Sequence, residues 1–132
     1  MKKTIMLFAG TTEGRRICEF LTVKKCITHV YVTTEYGKEL LPEQNNVHIH
    51  VGKMDGKQMS DEIKAIHPDI VIDATHPYAT QATHNIKEAC DSRHIFYVRV
   101  LREENTEKAG NNADNIIYTE TMKDVVRLLN ET

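Results

Sequence analysis

The sequence predicts one α/β domain built on a doubly wound, mostly parallel sheet of about six strands. Two observations carry this. Thr4-Ile-Met-Leu-Phe-Ala9 and Ile70-Val71-Ile72 are apolar runs without polar alternation, the pattern of strands buried on both faces. Between such runs, apolar residues recur at helical spacing, so strand and helix alternate along the chain. Right-handed crossovers between parallel strands favour the spatial order three-two-one-four-five-six. The first and fourth strands are then central neighbours.

The first strand, Thr4 to Ala9, runs into Gly10-Thr11-Thr12-Glu13-Gly14-Arg15. Ile17, Cys18, Phe20, Leu21 and Val23 then place a helix over about Glu13 to Lys24. Ile27 to Thr33 is the second strand, and Thr33 to Gly37 form its exit. Gly37 to Asn46 is polar and loop-like, with a helical turn around Lys38 to Leu41 ended by Pro42. Val47-His-Ile-His-Val51 alternates, as an edge strand does, and Gly52 and Lys53 close it. Asp55 caps a helix through Met59, Ile63 and Ile66, which His67-Pro68 ends. After the fourth strand, Pro77 stops extended structure and a helix runs from about Tyr78 to Ser92. Its small-residue face, Ala79, Ala82, Thr83, Ile86, Ala89 and Cys90, suits close approach to the sheet. Ile95 to Val100 is the fifth strand, Arg102 to Asp114 a charged loop and Asn115 to Tyr118 the sixth strand. Thr121 caps a last helix whose apolar face is Val125, Val126, Leu128 and Leu129.

A chain of 132 residues with 40% hydrophobic and 27% charged residues fits a single globular domain. A net charge of −2 argues against a nucleic-acid or anionic-membrane partner. Cys18, Cys26 and Cys90 are odd in number and form no CxxC pair, which reads as reduced, buried thiols in a cytoplasmic protein. The apolar run after Met1-Lys2-Lys3 lasts only from Ile5 to Ala9, too short for a signal segment or a membrane span.

In open parallel sheets, ligands bind beyond the carboxyl ends of the strands, where strand order reverses. Two tips would meet there. At the first, Gly10 allows close backbone approach, Thr11 and Thr12 offer hydroxyl donors, the helix start presents free N–H groups and Arg15 adds a counter-charge. That set suits a nucleotide phosphate. The first glycine of the dinucleotide fingerprint is missing, and Glu13 suits a phosphate only if it turns outward. An N-capped helix with Thr11 or Thr12 as cap is the alternative. After the second strand, Glu35 fits the ribose of NADH, whereas Thr33 and Thr34 fit the 2′-phosphate of NADPH, and an ordinary polar strand end fits as well. At the second tip, Asp73, Thr75 and His76 place three polar side chains at a strand end. His48 and His50 share a face with no third ligand nearby, so solvated edge histidines are expected and no metal site.

Asp73-Ala-Thr-His-Pro-Tyr-Ala-Thr-Gln-Ala82, with Asn85 and Ala89-Cys90 after it, resembles the precorrin-6A reductase family, including its cobalt-precorrin-6A form. Gly10-Thr11-Thr12-Glu13-Gly14-Arg15, Gly52 and Tyr97-Val-Arg-Val-Leu-Arg102 are compatible with the same family. The resemblance implies a Rossmann-like domain of a cobalamin-pathway reductase, passing hydride from NADPH or NADH to the tetrapyrrole precorrin-6A and giving the dihydro product precorrin-6B. It implies no metal for that step. The family has two Rossmann-like halves, so residues 1–132 are expected to be the amino-terminal half, with the carboxyl-terminal half as missing partner. Arg102-Glu103-Glu104 departs from the family's usual Arg-Pro and aromatic.

The resemblance, together with anion chemistry, assigns Gly10, Thr11, Thr12, Glu13 and Arg15 to the pyrophosphate region and Thr33 and Thr34 to the ribose. Gly52 joins the cofactor set. Thr75, His76 and Pro77 fall near the nicotinamide and the tetrapyrrole. His76 is the candidate proton donor, or else a structural histidine bonded to a backbone carbonyl. Asp73 caps the turn or meets ligand. Tyr78 flanks a flat ring or packs. Arg99 and Arg102 suit substrate carboxylates through paired hydrogen bonds, unless merely solvated. Two other functions stay open. One is a cofactor-positioning half-domain inactive alone, and the other a non-catalytic α/β nucleotide-binding or interaction module. A phosphoacceptor module would need clustered acids at the strand ends, and only Asp73 sits suitably.

Overall fold

The computed structural model describes residues 3–101 and 116–118. In chain order the elements are β1 (Lys3–Phe8), α1 (Thr12–Leu21), β2 (Cys26–Val32), α2 (Glu35–Glu39), β3 (Val47–Val51), α3 (Gly56–Ile66), β4 (Ile70–Asp73), α4 (Thr80–Ser92), β5 (Phe96–Leu101) and β6 (Ile116–Tyr118). The strands form one sheet in the order β3-β2-β1-β4-β5-β6. Every neighbouring pair is parallel. The doubly wound order read from the sequence is the observed one.

Alternation within β1 divides the core. Ile5, Leu7 and Ala9 face one layer with Ile17, Cys18 and Leu21 of α1. Met6 and Phe8 face the other, with Met59 and Ile63 of α3 and Ile86, Ala89 and Cys90 of α4. Each fully buried leucine or isoleucine contributes about 1.5–3 kcal/mol, and such residues line both faces. The apolar runs of β1 and β4 follow from that two-sided cover. The three cysteines are free and buried. Burial pushes the Cys18 and Cys90 thiols up to about 12. Among the described residues, no helix is long and apolar enough to cross a membrane.

Several boundaries move for local reasons. α1 ends at Leu21, where Thr22 takes over as cap, so Val23 stays exposed instead of joining the apolar face. The loop expected from Gly37 is helical from Glu35, because the Thr34 hydroxyl accepts from the Gly37 N–H and starts α2 early. α3 begins as expected, with a reciprocal cap between Asp55 and Gln58, and His67 ends it in the left-handed region. α4 starts at Thr80 rather than Tyr78, because residues 76–79 form a turn closed by the Ala79 N–H donating to the His76 carbonyl (2.9 Å). Arg102, the loop to Asp114 and the helix expected from Thr121 lie outside the described residues.

Candidate functional site

The tips of β1 and β4 open onto one cleft of about 510 Å³, a size suited to a small-molecule ligand. Its floor is Ala9 to Glu13 with Arg15, one end is built by residues after β2, and His76, Pro77 and Tyr78 form the far wall.

At the floor, Gly10 has φ +123°, so the chain turns from β1 into α1 through a conformation that side chains oppose. Nothing lies within 4 Å of where its Cβ would be, so the cleft reaches the backbone there. At Gly14 a Cβ would stand 2.9 Å from Ala9 Cα and Cβ and 3.4 Å from Ala74 Cβ. The missing side chain thus lets the first turn of α1 lie against both tips. Thr11 Oγ1 accepts from the Gly14 N–H (3.0 Å) and donates to the Ala74 carbonyl (2.6 Å). Thr11 is therefore the cap, and its hydroxyl hydrogen is committed. It cannot also serve as the phosphate donor expected of it. Thr12 is exposed at the first helical position and Arg15 is half-buried. Glu13 lines the cleft but is buried, so the outward turn that a neighbouring phosphate would ask of it is not observed.

At the end of β2 and beyond it the lining comprises Val32, Thr33, Thr34, Tyr36, Gly37, Leu40 and Leu41. Glu35, the expected ribose acid, belongs to α2 and does not line the cleft. Tyr36 and Leu40 expose apolar surface at the rim, and sequence reading passed over both. Their signal was the short α2 that brings them there. Gly52 does not line the cleft either. With φ +136°, its N–H donates to the Val32 carbonyl (2.9 Å), so it closes the β3 tip against β2 instead.

On the far wall, His76 Nδ1 accepts from the Tyr78 N–H (3.1 Å). An accepting nitrogen carries no hydrogen, so the neutral ring bears it on Nε2. The contact reverses the expected one, in which the ring donates to a backbone carbonyl. Tyr78 is 87% exposed, with its ring centroid 5.0 Å from that of His76, so it rims the cleft rather than packing.

Thr75 and Arg99, expected near the nicotinamide and at the substrate, are absent from the lining of this cleft. They join a knot behind the far wall. Asp73 is fully buried, and its Oδ1 accepts from the Thr75 N–H (3.1 Å), the Thr75 hydroxyl (2.7 Å) and Arg99 Nη1 (3.2 Å). Its Oδ2 accepts from the Tyr97 hydroxyl (2.7 Å). Burial first, and then the neighbouring Asp73 charge, hold the Tyr97 hydroxyl well above its usual range, so it remains a donor. Arg99 Nη1 also donates to the Thr75 carbonyl (2.9 Å). Arg99 is buried against Asp73 rather than solvated, because β4 and β5 pair Asp73 with Arg99 directly across the sheet. Asp73 takes its turn-capping role.

The edge strands hold a cluster that the sequence reading missed in part. His48 and His50 do share a face, and parallel register sets His29 opposite His48. His29 Nδ1 and His50 Nε2 share a hydrogen bond (3.0 Å), and the Tyr31 ring lies 4.6 Å from His50 and donates through its hydroxyl to Glu62 of α3 (2.8 Å). A third histidine is thus nearby after all. Burial, followed by the His50 and His48 charges, lowers the His29 pKa against an opposing Glu62. Among the described residues no group of three or more His, Cys, Asp or Glu side chains is arranged to hold a metal ion.

Residues 4–132 match the family model of the precorrin-6x reductase CbiJ/CobK. The chain is similar to the cobalt-precorrin-6A reductase of Methanocaldococcus jannaschii, at 35% identity over 125 residues, covering 94% of this chain and 48% of the relative. It is also similar to the cobalt-precorrin-6A reductase of Salmonella typhimurium, at 28% identity over 115 residues, covering 87% and 42%. The chain spans about half the length of the curated relatives it matches, or less. Among solved structures, CobK precorrin-6A reductase aligns with a TM-score of 0.65 at 23% identity, over 77% of this chain and 39% of that one. The Bordetella bronchiseptica enzyme WbmH in complex with NAD+ aligns with a TM-score of 0.66 at 17% identity, over 78% and 40%. At these identities the structural likeness speaks for the Rossmann-like fold.

Proposed function

The chain belongs to the precorrin-6x reductase (CbiJ/CobK) family, and from that premise we propose that it is the cofactor-holding amino-terminal half of a cobalamin-pathway reductase. The reaction is hydride transfer from NADPH or NADH to precorrin-6A or its cobalt form, giving precorrin-6B. The carboxyl-terminal half of the same protein completes the substrate site. The observation that carries the reading is the single cleft shared by the Gly10 and His76 tips.

The residues present fit a dinucleotide. The open space at Gly10 admits a pyrophosphate against backbone, where the first turn of α1 offers N–H groups without intrahelical acceptors. Thr12 and Arg15 add a hydroxyl and a positive charge. Glu13, buried beside them, suits a ribose hydroxyl better than a phosphate. Thr33 and Thr34 meet the adenosine ribose with no carboxylate from α2 in the lining, so either coenzyme is admitted. When bound, the reduced nicotinamide supplies the hydride, so the protein's own work is to bind, orient and exclude water. His76 carries the neutral ring's hydrogen on Nε2, on the side not engaged by Tyr78, where it can donate a hydrogen bond to substrate; acting as the proton donor requires the doubly protonated ring. Tyr78 offers a flat ring at the cleft mouth.

Titrating NADPH and NADH with the purified chain, following nicotinamide fluorescence, tests this. Saturable binding of at least one is expected, and Thr12→Ala weakens it more than His76→Ala, because Thr12 lies at the phosphate end. A folded chain that binds neither coenzyme ends the reading. The same chain is expected to bind coenzyme without turning over the tetrapyrrole, since the second half is absent; turnover by this chain alone would refute the half-site assignment.

A further inference from the structure

We infer that the knot of buried Asp73, Tyr97 and Arg99 with half-buried Thr75 and Thr83 is a positioning device for the nicotinamide end of the cleft, an inference that rests on the coenzyme reading above. None of its members lines the cleft. Its members instead grip the chain on both sides of the turn at residues 76–79. Before the turn, the Thr75 N–H and hydroxyl donate to Asp73 Oδ1, and Arg99 Nη1 donates to the carbonyls of Asp73 (3.2 Å) and Thr75 (2.9 Å). After the turn, Thr83 on α4 meets the Thr75 hydroxyl, Oγ1 to Oγ1 at 3.2 Å.

That last link has a specific reason to exist. α4 starts without a side-chain cap, and Ala79 stands where a capping serine or aspartate would. No side-chain cap therefore helps to fix the angle at which the turn enters the helix. The Thr75–Thr83 contact ties strand to helix directly, with the turn as a closed loop between them. The turn has two internal bonds, Ala79 N–H to the His76 carbonyl and Tyr78 N–H to His76 Nδ1. These fix its shape, and the knot fixes where that shape stands relative to Gly10. Every hydroxyl and carboxylate oxygen of Asp73, Thr75 and Tyr97 is engaged within the knot. Its buried part holds one geometry, because any other leaves the Asp73 or Arg99 charge or the Tyr97 hydroxyl buried without its partner.

Thr75→Val removes the hydroxyl while keeping side-chain shape, and leaves the Asp73–Arg99 pair in place. Thr83→Val cuts only the link to α4, and Thr75→Ser restores the hydroxyl. Each variant is first checked for cooperative unfolding. Calorimetric titration then compares the tighter-binding coenzyme with its nicotinamide-free fragment, 2′,5′-ADP for NADPH or ADP for NADH. Thr75→Val is expected to weaken the intact coenzyme about fivefold or more, the value of roughly one hydrogen bond, while the fragment changes by less than about twofold. Thr75→Ser returns to the parent value, and Thr83→Val weakens the coenzyme in the same direction. Equal weakening of coenzyme and fragment by both valine variants would mean a generally structural role and overturn the inference, as would an unchanged coenzyme affinity. A parent chain that binds the fragment but gains nothing from the nicotinamide end also overturns it. A parent chain that binds neither molecule removes the coenzyme reading itself, and the inference with it.

Discussion

The tips of β1 and β4 stand side by side and wall the same cleft, yet they hold their shapes by opposite means. The β1 tip is built from absence: Gly10 takes a left-handed φ, Gly14 has no Cβ to strike Ala9, and one hydroxyl, that of Thr11, caps the helix. The β4 tip is built from polar excess: a fully buried carboxylate engages a guanidinium, a phenol, a hydroxyl and a backbone N–H. Each means suits what its tip presents. Backbone can approach a phosphate only where side chains are missing, whereas side chains such as His76 and Tyr78 need a rigid turn to be aimed. Thr11 joins the two, since its hydroxyl donates to the Ala74 carbonyl.

The contrast is tested most severely at Asp73. Asp73→Ala leaves the Arg99 charge without its carboxylate in a buried site, which costs about 3–5 kcal/mol. A urea-unfolding midpoint barely moved by the substitution would show that polar ties do not hold the β4 tip. At the β1 tip, Gly14→Ala forces a Cβ within 2.9 Å of Ala9 Cα, which is backbone and cannot swing aside. About 1–3 kcal/mol is expected, with coenzyme affinity falling too, because α1 must lift away from the cleft floor. Stability lost with coenzyme affinity intact would separate the glycine tip from binding.

The smallest effect comes from the sheet edge beside the glycine tip. Burial and the neighbouring His50 and His48 charges lower the His29 pKa below its usual 6.5, and Glu62 of α3 opposes the shift. The folded state therefore disfavours the charged ring. This contribution to stability is fully present above pH 6.5 and is lost as pH falls below it towards the folded value. Unfolding midpoints measured from pH 7.5 down to pH 5 should fall, and His29→Asn should flatten that fall. A decline that survives the substitution unchanged would assign acid sensitivity elsewhere.

The order of elements was legible because it depends on hydrophobic period alone. The unbroken apolar runs of β1 and β4 and the helical stripes between them state which faces are covered, and parallel crossovers have one hand. The convergence of Gly10 and His76 followed from that order. The helix boundaries were less legible at 34–35 and 78–80. There a single contact, Thr34 to Gly37 or Ala79 to His76, decides where the helix begins.

Sequence by itself determined the sheet, its strand order, the place of the cleft and the family, because these follow from patterns read along the chain. Only the tertiary structure decided which polar residues face that cleft. Arg99 meets Asp73 rather than solvent because β5 pairs with β4 in that register. Gly52 turns to Val32, Thr75 turns inward, and His29 joins His50 for the same kind of reason. A buried polar group must find a partner, and its partner is set by neighbours in space, 26 residues away for Asp73 and Arg99 and 21 for His29 and His50, which no local pattern in the chain encodes.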